Sequence, residues 1–131
     1  MIVLDASAAV ELLLATANGD RVVERIADPA ASIHVPHLLS VEVAQVLRRL
    51  VAAGTVSRAR AAGALDDLAD LDAERYPHEP FLPRMFALRD NLTAYDAAYV
   101  ALAEVLAAPL VTFDGRLAGA PGHRATVQLL V

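Results

Sequence analysis

The chain has 131 residues, enough to bury one sizeable core and too few for two ordinary domains. Its 56% hydrophobic and 21% charged residues exclude a disordered chain, and no apolar stretch approaches the ~20 residues of a membrane-spanning helix. A net charge of −5 excludes a basic surface that coats nucleic acid by counterion release alone, and the absence of cysteine excludes disulfides, thiol nucleophiles and thiolate zinc sites.

Met1 to Asp5 opens the chain without a basic n-region or a small-residue cleavage site, so a cytoplasmic address is the expectation. Within it, Ile2 to Asp5 reads as a strand, and Ala6 to Ala15, with Ala9, Val10, Leu13 and Leu14 at helical spacing, as a helix. Asn18-Gly19 reads as punctuation before a short helix over Asp20 to Ala27. Ser32 to Val35 is a second strand. From His37 to Ala53 the residues Val43, Val46, Leu47, Leu50 and Val51 predict a helix closed by Gly54, and Ser57 caps a further one over Arg58 to Leu71. Asp72 to Pro83 holds three prolines and reads as a connection with a brief extended piece around Tyr76. Helices follow over Pro83 to Arg89 and Thr93 to Ala107, then a strand over Leu110 to Phe113, a turn or helix start at Asp114-Gly115, a loop over Gly119 to Gly122 and a strand over Ala125 to Val131.

Apolar strands bounded by helices define an α/β domain over residues 1–131, with a mainly parallel sheet of about four to five strands covered on both faces. Chemistry in such folds gathers at the carboxyl ends of the strands.

Four acidic residues stand out by position. Asp5 and Asp114 each follow a strand and precede a helix, and Asp96 lies three residues after Thr93 at a helix start. Each alone could be a helix cap. Glu42 lies inside the 37–53 helix on or beside its apolar face, with Leu38, Leu39 and Val46 at neighbouring positions. The remaining acids read as structural, with Asp66, Asp67, Asp70 and Asp72, and likewise Asp20, Glu24 and Asp28, as solvated helix faces; His34 and His37 read as packing or surface residues rather than ligands, and His78 and His123 as loop residues with no partner in sequence. If the four singled-out carboxylates converge, two of them ~4 Å apart repel by ~4 kcal/mol at an effective dielectric of 20, so four rival the ~5–15 kcal/mol stability of a domain. A hard divalent cation such as Mg²⁺ or Mn²⁺ offsets that repulsion and leaves positions open for a phosphate.

Ile2-Val3-Leu4-Asp5-Ala6-Ser7, the stretch from Ser40 to Arg49, the stretch from Leu92 to Ala103, and Thr112-Phe113-Asp114-Gly115-Arg116-Leu117, in this order, resemble the PIN-domain ribonucleases and, within them, the VapC-like toxins of bacterial toxin–antitoxin pairs. The resemblance implies a metal site of Asp5, Glu42, Asp96 and Asp114, supported by the hydroxyls of Ser7 and Thr112. It implies a Mg²⁺- or Mn²⁺-dependent endoribonuclease toxin acting on RNA, a homodimer, and a cognate antitoxin that joins it in a larger assembly and blocks its site. Arg48, Arg49, Arg84, Arg89 and Arg116 are candidate phosphate contacts, and Leu12 and Leu14 candidate dimer or antitoxin contacts, although core packing explains the latter as well.

Two other readings fit an acidic cluster on an α/β fold. A phosphoacceptor receiver or an aspartate-nucleophile phosphatase ordinarily uses a lysine against the phosphoryl oxygens, yet all 11 basic residues here are arginine, and Ser7 stands where the phosphatases carry a second Asp. The other is a PIN-like domain kept as a binding module without nuclease activity, against which the presence of all four acids argues.

Overall fold

A computed structural model describes all 131 residues. The apolar run of β1 (Ile2–Leu4) ends at Asp5, whose backbone is extended and whose side chain accepts the Ala8 N–H at 3.0 Å, starting α1 (Ala6–Leu13). The next helix, α2 (Ala17–Ile26), begins before the expected Asp20, with Asn18-Gly19 inside its first turn. Two contacts explain the difference. The Thr16 hydroxyl accepts the Gly19 N–H at 3.0 Å, and Gly19 lies so close to α1 that a Cβ there would stand 2.2 Å from the Glu11 carbonyl oxygen. Gly19 is therefore a close-approach residue between two helices rather than a helix breaker.

β2 (Ile33–Pro36) leads into α3 (Leu38–Ala52), which is closed by Gly54 at φ +74°, in the left-handed region that glycine enters without strain. The first turn of α3 is capped from outside: His78 Nε2 accepts the Leu38 N–H at 2.9 Å, giving His78 the partner its sequence context did not reveal. Ser57 caps α4 (Arg58–Asp70) by accepting the Arg60 N–H. The expected connection over 72–83 contains β3 (Ala73–Tyr76), paired in parallel with β2 from Ile33↔Ala73 to Pro36↔Tyr76, and a 3-10 turn over Glu79–Phe81. Ala-Glu-Arg-Tyr is only part-buried at the sheet edge, so it lacks the apolar run that marks an interior strand. His34 fastens this edge: its Nδ1 is 2.6 Å from the Tyr76 hydroxyl and its Nε2 2.8 Å from that of Ser32.

α5 (Leu82–Ala87), α6 (Ala94–Leu106), β4 (Leu110–Thr112), α7 (Gly115–Gly119) and β5 (Val127–Leu129) complete the chain. Thr93 caps α6 through the Asp96 N–H and Asp114 caps α7 through the Arg116 N–H. A carboxylate clamp ties three parts of this half together. Both oxygens of Glu104 accept from the Arg84 guanidinium, at 2.8 and 2.9 Å, and Oε2 also accepts the Arg124 N–H at 2.7 Å. Arg84, a candidate phosphate contact from the sequence, is thereby committed to α6.

All five strands are parallel, in the order β3-β2-β1-β4-β5. Val3 and Leu4 point to opposite faces and both are fully buried, as are Leu110, Val111 and Thr112, so the sheet is covered on both sides. Right-handed crossovers put α1 to α4 on one face and α5 to α7 on the other, with α6 packed on β1, β2 and β4. The chain reverses its direction of travel across the sheet between β1 and β4, where open α/β sheets bind their ligands.

Candidate active site

Asp5 and Asp114 stand just past the carboxyl ends of β1 and β4, on either side of that reversal. Their strands are in register at Val3↔Leu110 and Leu4↔Val111, so backbone pairing alone brings residues over a hundred positions apart to one crevice. Side chains then lock the crevice. Asp5 Oδ1 accepts from the Ser7 hydroxyl at 2.6 Å as well as from the Ala8 N–H, and Asp5 Oδ2 accepts from the Thr112 hydroxyl at 2.5 Å. Ser7 Oγ also accepts the Phe113 N–H, and Thr112 Oγ1 the Asp114 N–H, both at 2.9 Å. Ser7 and Thr112 thus each bond Asp5 on one strand and the backbone following the other.

Asp96, in the first turn of α6, and Glu42, on α3, lie close enough to this crevice for its charges to act on them. Both are half-buried, whereas the acids read as solvated faces, Asp66, Asp67, Asp70 and Asp72, are exposed. Glu42 Oε1 accepts from the hydroxyl of Tyr99 at 2.6 Å, and Tyr99, one turn beyond Asp96 on α6, is only 1% exposed. Tyr99 is the residue of this site that sequence reasoning missed. Its signal was an aromatic with a polar tip among Ala97, Ala98, Val100 and Ala101, at i+3 from Asp96.

Electrostatics mark the four acids as one group. Burial pushes the Asp5 carboxyl above its usual range, against the opposing hydrogen bonds from Ser7, Thr112 and Ala8, and the Asp114 charge adds to the rise. Burial likewise raises Glu42, with the charges of Asp96 and Asp5 adding to it. Asp96 is raised by burial and then by Asp114 and Asp5, with Arg116 opposing. Burial and the bond to Glu42 push the Tyr99 hydroxyl far up, so it stays a donor at any physiological pH. The four do not form a closed cage: nowhere do three or more Asp, Glu or His side chains stand together as a ready-made metal-binding group. The arrangement is an open, all-oxygen crevice whose charges act on one another, suited to an ion that keeps part of its water.

A parallel sheet reversing between two acid-tipped strands, with two further acids from flanking helices, defines an acidic-site α/β domain, and comparison gives it a family. The model described as PIN domain matches residues 2–122. Ribonuclease VapC12 of Mycobacterium tuberculosis is 42% identical over 130 residues, covering 99% of each chain, and ribonuclease VapC9 of the same species is 45% identical over 117 residues, covering 89% of this chain and 88% of its own. The chain belongs to the PIN-domain family and, within it, to the VapC ribonucleases. Two solved structures share its fold: VapBC2 from Rickettsia felis bound to a promoter DNA fragment, at TM-score 0.72 with 14% identity and full coverage of both chains, and Mycobacterium tuberculosis VapC20, a sarcin-ricin loop cleaving toxin, at TM-score 0.66 with 15% identity, covering 95% of this chain and 99% of its own.

Proposed function

We propose that this chain is a divalent-metal-dependent endoribonuclease, the toxin of a toxin–antitoxin pair, acting in the cytoplasm where its RNA substrate is found. What supports the reading is a VapC-family fold in which the charges of Asp5, Glu42, Asp96 and Asp114 act on one another about the β1–β4 crevice. Asp5, Asp96 and Asp114 would hold Mg²⁺ or Mn²⁺, directly or through water, with Glu42 as a further ligand or as the group that orients the attacking water. The bound ion supplies acidity to a water nucleophile and positive charge for the phosphate and the departing 3′-oxygen.

The protein's own part is to hold the oxygens still. Asp5 Oδ1 accepts two hydrogen bonds and is filled, while Oδ2 accepts one from Thr112 and keeps a lone pair to offer. Glu42 is bonded to Tyr99 through Oε1 alone, which leaves Oε2 without a protein partner. The relatives' VapC names support an RNA substrate, and the VapBC2 structure supports a partner of the VapB kind. A homodimer belongs to the same proposal.

The test is cleavage of structured RNA by the purified, partner-free protein with Mg²⁺ or Mn²⁺, compared with Asp96→Asn. Loss of cleavage in a variant that still melts cooperatively supports the metal site. Equal cleavage by both proteins would remove it, and no cleavage of any RNA by a metal-binding wild type would favour a binding module.

A further inference from the structure

One cation stands inside the acidic group. Arg116 follows Asp114 by two residues in the first turn of α7; its N–H donates to Asp114 Oδ1 at 2.9 Å and its Nη2 reaches Asp114 Oδ2 at 3.3 Å. Its charge extends past that partner, since it is the one cation that opposes the rise of a site carboxyl, that of Asp96. Other arginines are committed elsewhere: Arg84 and Arg124 to Glu104, Arg75 and Arg60 to backbone carbonyls, and Arg89 over the Phe86 ring at 4.5 Å. Arg116 is the one cation ion-paired with a carboxylate of the crevice.

The pair is built to be given up. The Arg116 side chain is 88% exposed and that of Asp114 28%, and exposed pairs of this kind contribute only about 0–1 kcal/mol. A doubly charged ion drawing on the same carboxylate competes with the guanidinium for it. Once displaced, the guanidinium remains tethered two residues from Asp114, with a planar fork that matches two phosphate oxygens. Resting on the metal-dependent nuclease reading above, we propose that Arg116 is an exchanging counter-ion: it neutralises Asp114 in the metal-free site and transfers to an RNA phosphate when a divalent cation takes that carboxylate.

This gives Arg116 effects of opposite sign on the two ligands, which a merely structural surface pair would not have. In Arg116→Ala, Mn²⁺ titrated alone into the full chain, followed by calorimetry or by the spin-resonance signal of free Mn²⁺, binds about two- to fivefold more tightly. In the same variant KM for RNA cleavage rises, and the salt slope of log kcat/KM falls by about 0.7, the share of one single-strand phosphate contact. Arg116→Lys keeps the charge, so it restores wild-type Mn²⁺ affinity and the salt slope, while its KM stays above wild type because the fork is lost. Unchanged or weaker Mn²⁺ binding in Arg116→Ala overturns the inference, as does an unchanged salt slope. Failure of the wild type to bind Mn²⁺ at all overturns the metal reading and this inference with it, a result that the binding titration separates from the other two.

Discussion

The hydroxyl of Tyr99 donates to Glu42 Oε1 at 2.6 Å, joining α6 to α3 across the mouth of the acidic crevice. The bond spans 57 positions in sequence and fixes a half-buried carboxylate that no other side chain holds. Tyr99→Phe keeps the ring in the core and removes only the donor. The expected cost is about 1 kcal/mol of stability, the net worth of a typical hydrogen bond. Glu42 then loses a bond that favours its charged form, so Mn²⁺ binding weakens and RNA cleavage falls by more than the small shift in melting temperature explains. Calorimetric titration beside thermal melting checks the split, and a variant with unchanged metal affinity would reduce Tyr99 to a packing residue.

Asp96→Asn separates function from stability. The Asp96 carboxyl is raised by burial and by the charges of Asp114 and Asp5, so its ionised form is disfavoured in the fold. Removing that charge stabilises the metal-free protein near neutral pH while abolishing RNA cleavage. The sign follows from the direction of the shift: a carboxyl raised on folding contributes stability at low pH that is lost as pH rises through its folded value. Wild type is therefore expected to melt higher as pH drops from neutral toward those values, and Asp96→Asn to show less of this rise. A variant that melts lower than wild type at neutral pH without metal would contradict it.

Divalent cations and chelators act on the same repulsion. An ion that binds only the folded chain stabilises it by about 2.7 kcal/mol at a hundred times its Kd. Melting temperature is thus expected to climb with Mg²⁺ or Mn²⁺ and to return to baseline with a chelator, and the climb should shrink in Asp5→Asn and Asp96→Asn. An equal climb in these variants would place the ion elsewhere.

Glu104 sets the acid limit of the fold. The hydrogen bonds from Arg84 hold its carboxyl below the usual range, against desolvation, with the Arg124 N–H and both arginine charges adding to the fall. A depressed carboxyl contributes stability that is present above its unfolded value and lost as pH falls through its folded one. Glu104→Gln is expected to cost about 1–3 kcal/mol at neutral pH, discounted for the part-exposed Arg84, and to flatten the fall in stability below pH ~4.5. Urea titrations at several pH values measure both.

Gly19→Ala reverses the ordinary propensity rule. In an open helix the change favours folding by about 1 kcal/mol. Here the added carbon meets the Glu11 carbonyl oxygen at 2.2 Å, and backbone cannot rotate out of the way as a side chain can. α1 and α2 must separate, at an expected cost of about 1–3 kcal/mol, read as a lower urea midpoint.

The parts of this molecule legible in its sequence are those where a local pattern and the tertiary requirement coincide. The 43, 46, 47, 50, 51 spacing with its closing Gly54 located α3 to within a residue at each end, because burial of one face and a left-handed cap are both local signals. β3 appeared only as an extended piece near Tyr76, because an edge strand draws its stability from pairing with β2 rather than from apolar side chains. Gly19 was misread for a related reason: its close approach to Glu11 belongs to helix packing, which no window of sequence reports. Asp5, Asp96 and Asp114 could be named from their places at strand ends and a helix start. The roles of Tyr99 and of Arg116 needed the distances to Glu42 and Asp114.

The pairing of β1 with β4 also imposes a timetable. Asp5 is made more than a hundred residues before Asp114, and Val3 meets Leu110 only after β2, β3 and α1 to α6 have been made. At translation speeds of 5–20 residues per second, about 5–20 s separate the synthesis of the two acids. Throughout that interval the nascent chain holds Asp5, Glu42 and then Asp96 with no fourth strand to close their crevice. Under the metal site proposed above, placing Asp114 behind the long crossover from β3 to β4 would leave the unfinished protein without a complete site while its own message and ribosome still surround it.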